Sequence, residues 1–292
     1  LEGLDFPEPV IQRVIEPESG ADRDKLRSAL EWLRHEDPTF RAREEDSGQW
    51  TVGGMGELHL EVVEHRLADE FKLELRVGQP RVAYREHVVG SGAGKAEVER
   101  ALGGKDAYAL VRVEVAPSVE GSLPRVEFAP ECLLTGVLRE PVVAALEQEA
   151  QVGPRFGYPL SGAAIRVTEA RSREGKESEA AYVQAAVAAL RQAMPSEGVE
   201  LEEPLMAFEI QTPAEYSSGI IADLNSRRAE LSDVGAEDDL RTILGTVPLS
   251  AMFGYSTAVR SLSQGRASFS MSPSGFRAVP ESELEARGLV WH

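Results

Sequence analysis

Residues 10–77 and 205–271 run through the same series of local patterns, and that series leaves few folds open. Each stretch reads as strand, helix, strand, strand, helix, strand. That order is the split βαββαβ arrangement called ferredoxin-like. In the first copy, Val10–Ile15 is β-branched and lies between Pro9 and Pro17, as a strand requires. Ala21–His35 places Leu26, Leu30 and Leu33 on one helical face and is closed by Pro38. Thr39–Arg43 and Gln49–Val52 read as strands joined by the turn Glu44–Gly48. A helix follows over Glu57–Phe71, then a strand over Leu73–Val77.

In the second copy, Leu205–Gln211 reads as a strand. Thr212, Pro213 and Glu215 have the residue types and spacing of a capping box with proline at the first helical position. The helix is expected to continue through Ile220, Leu224 and Leu231. The turn Ala236–Asp239 precedes a strand at Thr242–Val247, a helix over Ser250–Ser263 ending at Gly265, and a strand over Ala267–Met271. The two copies share no sequence repeat, so their likeness is one of topology.

The middle differs. Ala107–Ala116, Arg125–Phe128 and Gly162–Glu169 read as strands. Val142–Ala150 reads as a helix started by Pro141, and Ser178–Met194 as a helix rich in alanine. Gly90–Gly104 is rich in glycine and charge and reads as a linker. At 292 residues the chain accommodates two or three domains. We divide it at 1–82, 83–203 and 204–292, the last with a short C-terminal tail. The class is α+β. The chain begins with Leu1 rather than Met, which reads as a piece of a longer protein.

Charge narrows the functional classes. The net charge is −18, made up of −8, −6 and −4 across the three segments. Nucleic-acid affinity grows from clustered Lys and Arg that release counterions, so an RNA contact here has to come from a local loop. Arg171-Ser172-Arg173-Glu174-Gly175-Lys176 is such a loop, with three positive charges in six residues. No apolar run approaches a membrane span, and the N-terminus lacks the pattern of a signal peptide. The single cysteine, Cys132, excludes an internal disulfide and a cysteine-rich zinc site. Reducing cytosol is the expected compartment.

The motifs of bond chemistry are missing or incomplete. Gly90–Lys95 lacks the glycine spacing of a phosphate loop, and Ala96 follows the lysine where Ser or Thr is needed. The five histidines show no metal-binding spacing. Gly254-Tyr255-Ser256-Thr257-Ala258 lacks the second glycine of a nucleophile elbow. Gly53-Gly54-Met55-Gly56-Glu57 reads as a tight strand-to-helix turn, although helix starts also attract anions.

Longer strings carry a family resemblance. Pro7–Ile11, Glu36–Phe40, Gly54–Glu61 and Val77–Glu86 resemble the third domain of the elongation factor G family. Thr212–Tyr216, Asp223–Arg228, Val247–Thr257 and Gln264–Phe269 resemble its fifth domain. Gly103–Tyr108 and Gly153–Pro159 resemble the fourth in outline. The resemblance implies two ferredoxin-like domains flanking a βαβ domain like the second domain of ribosomal protein S5. It implies a ribosome partner, through ribosomal RNA and proteins, with the tip loop beside tRNA and mRNA in the decoding centre. The tip residues would be Arg171, Arg173 and Lys176. Gly54, Met55, Gly56, Glu57 and His59 would couple to the GTPase, and Asn225, Arg227, Arg228, Gln264 and Arg266 would face the ribosome. No catalytic residue and no metal is implied for this chain. GTP and Mg would belong to a GTPase domain acting in cis with a β-barrel domain, and the parent would be a ribosome-dependent GTPase, monomeric and not membrane-bound. The implied role is mechanical, in translocation. Alternatives are a paralogue for recycling, rescue or ribosome protection, and a non-catalytic ribosome-binding adaptor. The tip departs from the family pattern: Arg173 stands where the family carries a histidine, in a shorter loop.

Overall fold

The computed structural model describes residues 9–44, 49–102, 105–119, 123–194, 196–237 and 239–286. Most of the Glu44–Gly48 turn, Pro7-Glu8, Gly103-Gly104 and Asp238 lie outside those residues. The chain divides into two units, one of residues 1–83 and 203–277, the other of 84–202 and 278–292.

The first unit opens with β1 (Ile11–Pro17), a 3-10 turn at Gly20–Asp22 and α1 (Arg23–Glu36). Then come β2 (Arg41–Glu44), β3 (Trp50–Gly54), α2 (Glu57–Asp69), β4 (Leu75–Val77) and the short β5 (Arg81–Val82). The sheet order is β2-β3-β1-β4, with β5 also on β1 and every pairing antiparallel. This is the expected ferredoxin-like order. The Ser19 hydroxyl accepts from Ala21 N–H at 3.3 Å, so the chain turns before α1 begins. The apolar faces predicted from spacing are buried: Leu26, Leu30 and Leu33 on α1, and Leu60, Val63 and Leu67 on α2, meet Ile11, Ile15, Phe40 and Val52.

The second unit holds β6 (Arg85–Val88), β7 (Gly92–Leu102), β8 (Lys105–Pro117), β9 (Arg125–Phe128), α3 (Gly136–Glu149), β10 (Leu160–Ser161), β11 (Ala163–Arg171) and α4 (Glu179–Ala193). Its main sheet runs β7-β8-β11-β9, antiparallel except that β9 and β11 are parallel. Gly92–Leu102, most of the stretch read as a linker, is therefore a strand. Gly94, Ala96 and Val98 face inward, while Lys95, Glu97 and Glu99 face solvent. Small residues are needed there because α4 lies so close that a methyl group at Gly94 would overlap the Ala189 carbonyl. Helix α3 starts earlier than expected and carries Pro141 within it.

β12 (Val199–Pro213) gives Val199–Glu202 to the second unit, paired with β6, and its later residues to the first. There follow α5 (Ala214–Ser226), β13 (Glu230–Glu237), β14 (Leu240–Pro248), α6 (Tyr255–Leu262), β15 (Ser268–Ala278) and α7 (Glu281–Ala286). Within the first unit the order is β13-β14-β12-β15, the ferredoxin-like order again. Three details correct the sequence reading. Thr212 stays in the ladder opposite Arg241, so α5 begins after Pro213 and the capping box is not made. Arg228 takes φ 65°, which ends α5 and puts Leu231 on β13 rather than on the helix. The helix expected from Ser250 is split: a 3-10 turn at Leu249–Ala251 is followed by left-handed Gly254 (φ 69°), and α6 starts after it.

Candidate functional site

The tip loop leaves β11 at Arg171 and reaches α4 at Glu179, and Tyr108 on β8 gathers it. The Tyr108 N–H donates to the Lys176 carbonyl at 2.9 Å. Its own carbonyl accepts from the Ser172 hydroxyl at 2.7 Å. The Arg173 guanidinium lies 3.9 Å from the centroid of its ring. The Tyr108 hydroxyl, hydrogen-bonded to the Glu97 carboxylate, has its pKa raised above the usual phenol value, with burial adding to the effect.

The three cations expected to project from this loop each meet a carboxylate of the same chain. Arg171 pairs with Glu169 at 2.8 Å. Arg173 reaches Glu99 at 2.6 Å and Glu97 at 3.6 Å. Lys176 lies 3.5 Å from both Glu99 and Asp106. The loop is thus not a free basic probe, although Arg173 keeps half its side chain exposed. Sequence reasoning missed Tyr108, Glu97, Glu99 and Asp106. The signal available was the outward alternation of charge along β7. Beside the loop, Thr168 marks the register shift of β11, and it lines with Cys132 and Arg171 a cleft of about 380 Å³.

The turn between β3 and α2 brings together two of the quoted motifs. The Met55 N–H donates to His59 Nδ1 at 3.0 Å, and His59 Nε2 lies 3.0 Å from Asp37 Oδ2. An Nδ1 that accepts places the imidazole proton on Nε2, facing Asp37. Partial burial would raise the Asp37 pKa. The Thr39 hydroxyl and amide, with His59, outweigh it and hold the carboxyl below its usual value. Gly54 is required by close approach, because a methyl there would come within 2.9 Å of Leu60 Cδ2 and 3.0 Å of His59 Nδ1. Glu57, at the start of α2, faces Arg13 at 3.5 Å. Met55 and Gly56 form the turn itself.

In the last segment the structure separates the five expected ribosome-facing residues. Arg228 turns inward and grips the fully buried Glu203 at 2.6 and 3.3 Å. Ser250 donates to the same carboxylate at 2.8 Å. Arg227 binds Asp223 and the Ala251 carbonyl, and covers the Tyr255 ring at 4.8 Å. Burial pushes the Tyr255 phenol up to about 12. Arg227 and Arg228 therefore hold the end of α5, each with about a quarter of its side chain exposed. Asn225 and Gln264 are exposed, and Arg266 is exposed and pairs loosely with Glu215.

Among the described residues no group of three or more His, Cys, Asp or Glu is placed to hold a metal ion. No helix among them is long and apolar enough to cross a membrane.

Three family descriptions match in chain order: "Elongation Factor G, domain III" over residues 6–79, "Elongation factor G, domain IV" over 80–196 and "Elongation factor G C-terminus" over 200–287. Elongation factor G of Thermotoga maritima is 42% identical across 98% of the chain. Elongation factor G 2 of Syntrophomonas wolfei is 40% identical across 97%. The chain spans 42% and 41% of those two proteins. The crystal structure of ttk003000868 from Thermus thermophilus superposes with a TM-score of 0.69 at 25% identity, over 98% of this chain and 43% of that one. Matched in order along nearly its whole length, this chain belongs to the elongation factor G family and carries its domains III to V.

Proposed function

We propose that this chain is the ribosome-engaging part of a translation factor that moves tRNA and mRNA through the ribosome. Its action is mechanical, driven by GTP hydrolysis in a GTPase domain that acts in cis with a β-barrel domain. The observation that carries the reading is the ordered match of three family domains, at 42% identity to an elongation factor G across 98% of the chain. In this reading the Gly54–His59 turn couples to the GTPase, the Tyr108-gathered tip enters the decoding centre, and exposed Asn225, Gln264 and Arg266 meet the ribosome surface. The factor works as a cytoplasmic monomer.

A second reading is favoured by one observation: the tip carries Arg173, stacked and paired with carboxylates, where the family carries a histidine. A paralogue specialised for recycling, rescue or ribosome protection would tolerate such a tip. A non-catalytic ribosome-binding adaptor remains the third, with nothing in the geometry favouring it. The test is single-turnover movement of tRNA on pre-translocation ribosomes, with this chain fused behind an elongation factor G GTPase module and GTP present. Movement at an ordinary rate supports translocation. Hydrolysis without movement overturns it, and subunit splitting then tests the second reading.

A further inference from the structure

The tip presents its cations already occupied. Glu97 and Glu99 are two apart on β7, so both point to one side of the sheet. Glu99 stands opposite Tyr108 in the ladder, and the Arg173 guanidinium lies on that tyrosine ring. Carboxylate oxygens thereby take the positions around Arg173 that phosphate oxygens would take. Lys176 shares Glu99 with it. These pairs are half exposed, at 49% for Arg173 and 48% for Glu99. Exposed ion pairs are held weakly and exchange readily.

We propose that Glu97 and Glu99 are specificity-determining surrogates for phosphate, which make the tip accept RNA with closely spaced phosphates and refuse isolated anions. A single phosphate ion would have to displace two carboxylates while facing the charge of Asp106, 3.5 Å from Lys176, in a loop that also carries Glu174 and Glu177. A polynucleotide presents neighbouring phosphates together and gains from the counterions it releases at each. The inference rests on the reading that the tip meets RNA.

The test titrates the whole chain against a short single-stranded RNA oligonucleotide by fluorescence anisotropy at several KCl concentrations. The double variant Glu97→Gln/Glu99→Gln should tighten binding about tenfold and steepen the salt dependence by about 1.4, two contacts at about 0.7 each. Adding Arg173→Gln and Lys176→Gln should abolish that gain. The remote pair Glu31→Gln/Glu61→Gln, equal in charge, should change affinity by less than about twofold. Inorganic phosphate should not compete with RNA on the unaltered chain. No gain in the double variant, an equal gain in the remote pair, a gain that survives loss of the cations, or competition by inorganic phosphate would each overturn the proposal. Ribosome binding by Arg173→Gln/Lys176→Gln separates the two levels. If that binding weakens while Glu97→Gln/Glu99→Gln has no effect, the tip contact stands and the surrogates fall. If it is unchanged, the tip reading falls and takes the inference with it.

Discussion

Single side chains decide which of the expected contact residues remain available to a partner. Arg228 is committed to Glu203, a carboxylate with no exposure of its own. Arg228→Ala leaves that charge buried without its cation and should cost about 3 kcal/mol or more in urea unfolding. Arg266→Ala, at an exposed pair, should change stability by no more than about 0.5 kcal/mol. A ribosome-binding assay on both variants then separates a structural arginine from a contact arginine. At the other ferredoxin-like domain, Gly54→Ala pushes on Leu60 and His59 together. It should cost about 1–3 kcal/mol, read by the same titration. Asp37 sets an acid limit. Its folded pKa lies below the unfolded value of 3.8, so its contribution is complete above that value and is lost as pH falls through the lower one. Thermal unfolding below about pH 4 should therefore decline less steeply in Asp37→Asn than in the unaltered chain.

At the scale of elements, the strand and helix order was legible wherever large apolar residues repeat with a clear period. Leu26, Leu30 and Leu33, or Leu60, Val63 and Leu67, announce a helix because each stripe has a sheet to cover. β7 was misread because its inward face offers one β-branched residue, Val98, beside Gly94 and Ala96, which carry no β-branched signal. Their smallness reflects a helix not yet known to be near. Gly94→Ala should force α4 away from β7 and lower stability by about 1–3 kcal/mol, with faster amide exchange confined to those two elements. The site was half legible for a related reason. The cations of the tip stand together in sequence, but Glu99 lies 74 residues from Arg173. Only strand pairing brings them into contact. Likewise Glu203 and Arg228 are 25 residues apart, so nothing local in Asp223–Arg228 told that the second arginine turns inward.

Across the whole molecule, the chain passes between its two units three times, after residues 83, 202 and 277. The last passage returns Val279 and Leu284 to the second unit. There they pack with Leu201 against Tyr84, Phe156 and Tyr158, and Val279 N–H donates to the Leu201 carbonyl at 2.8 Å. Leu284→Ala should therefore destabilise the unit that contains the tip by about 2–3 kcal/mol. Hydrogen exchange should register the loss in β6 and the start of β12. The same arrangement sets a timetable for synthesis. Leu201 and the rings beside it emerge long before the segment that covers them. At about 5–20 residues per second, the stretch from residue 203 to 286 takes roughly 4–17 s to appear. For that interval the nascent unit holds an uncovered apolar face, so chaperone capture should peak there and end when α7 arrives.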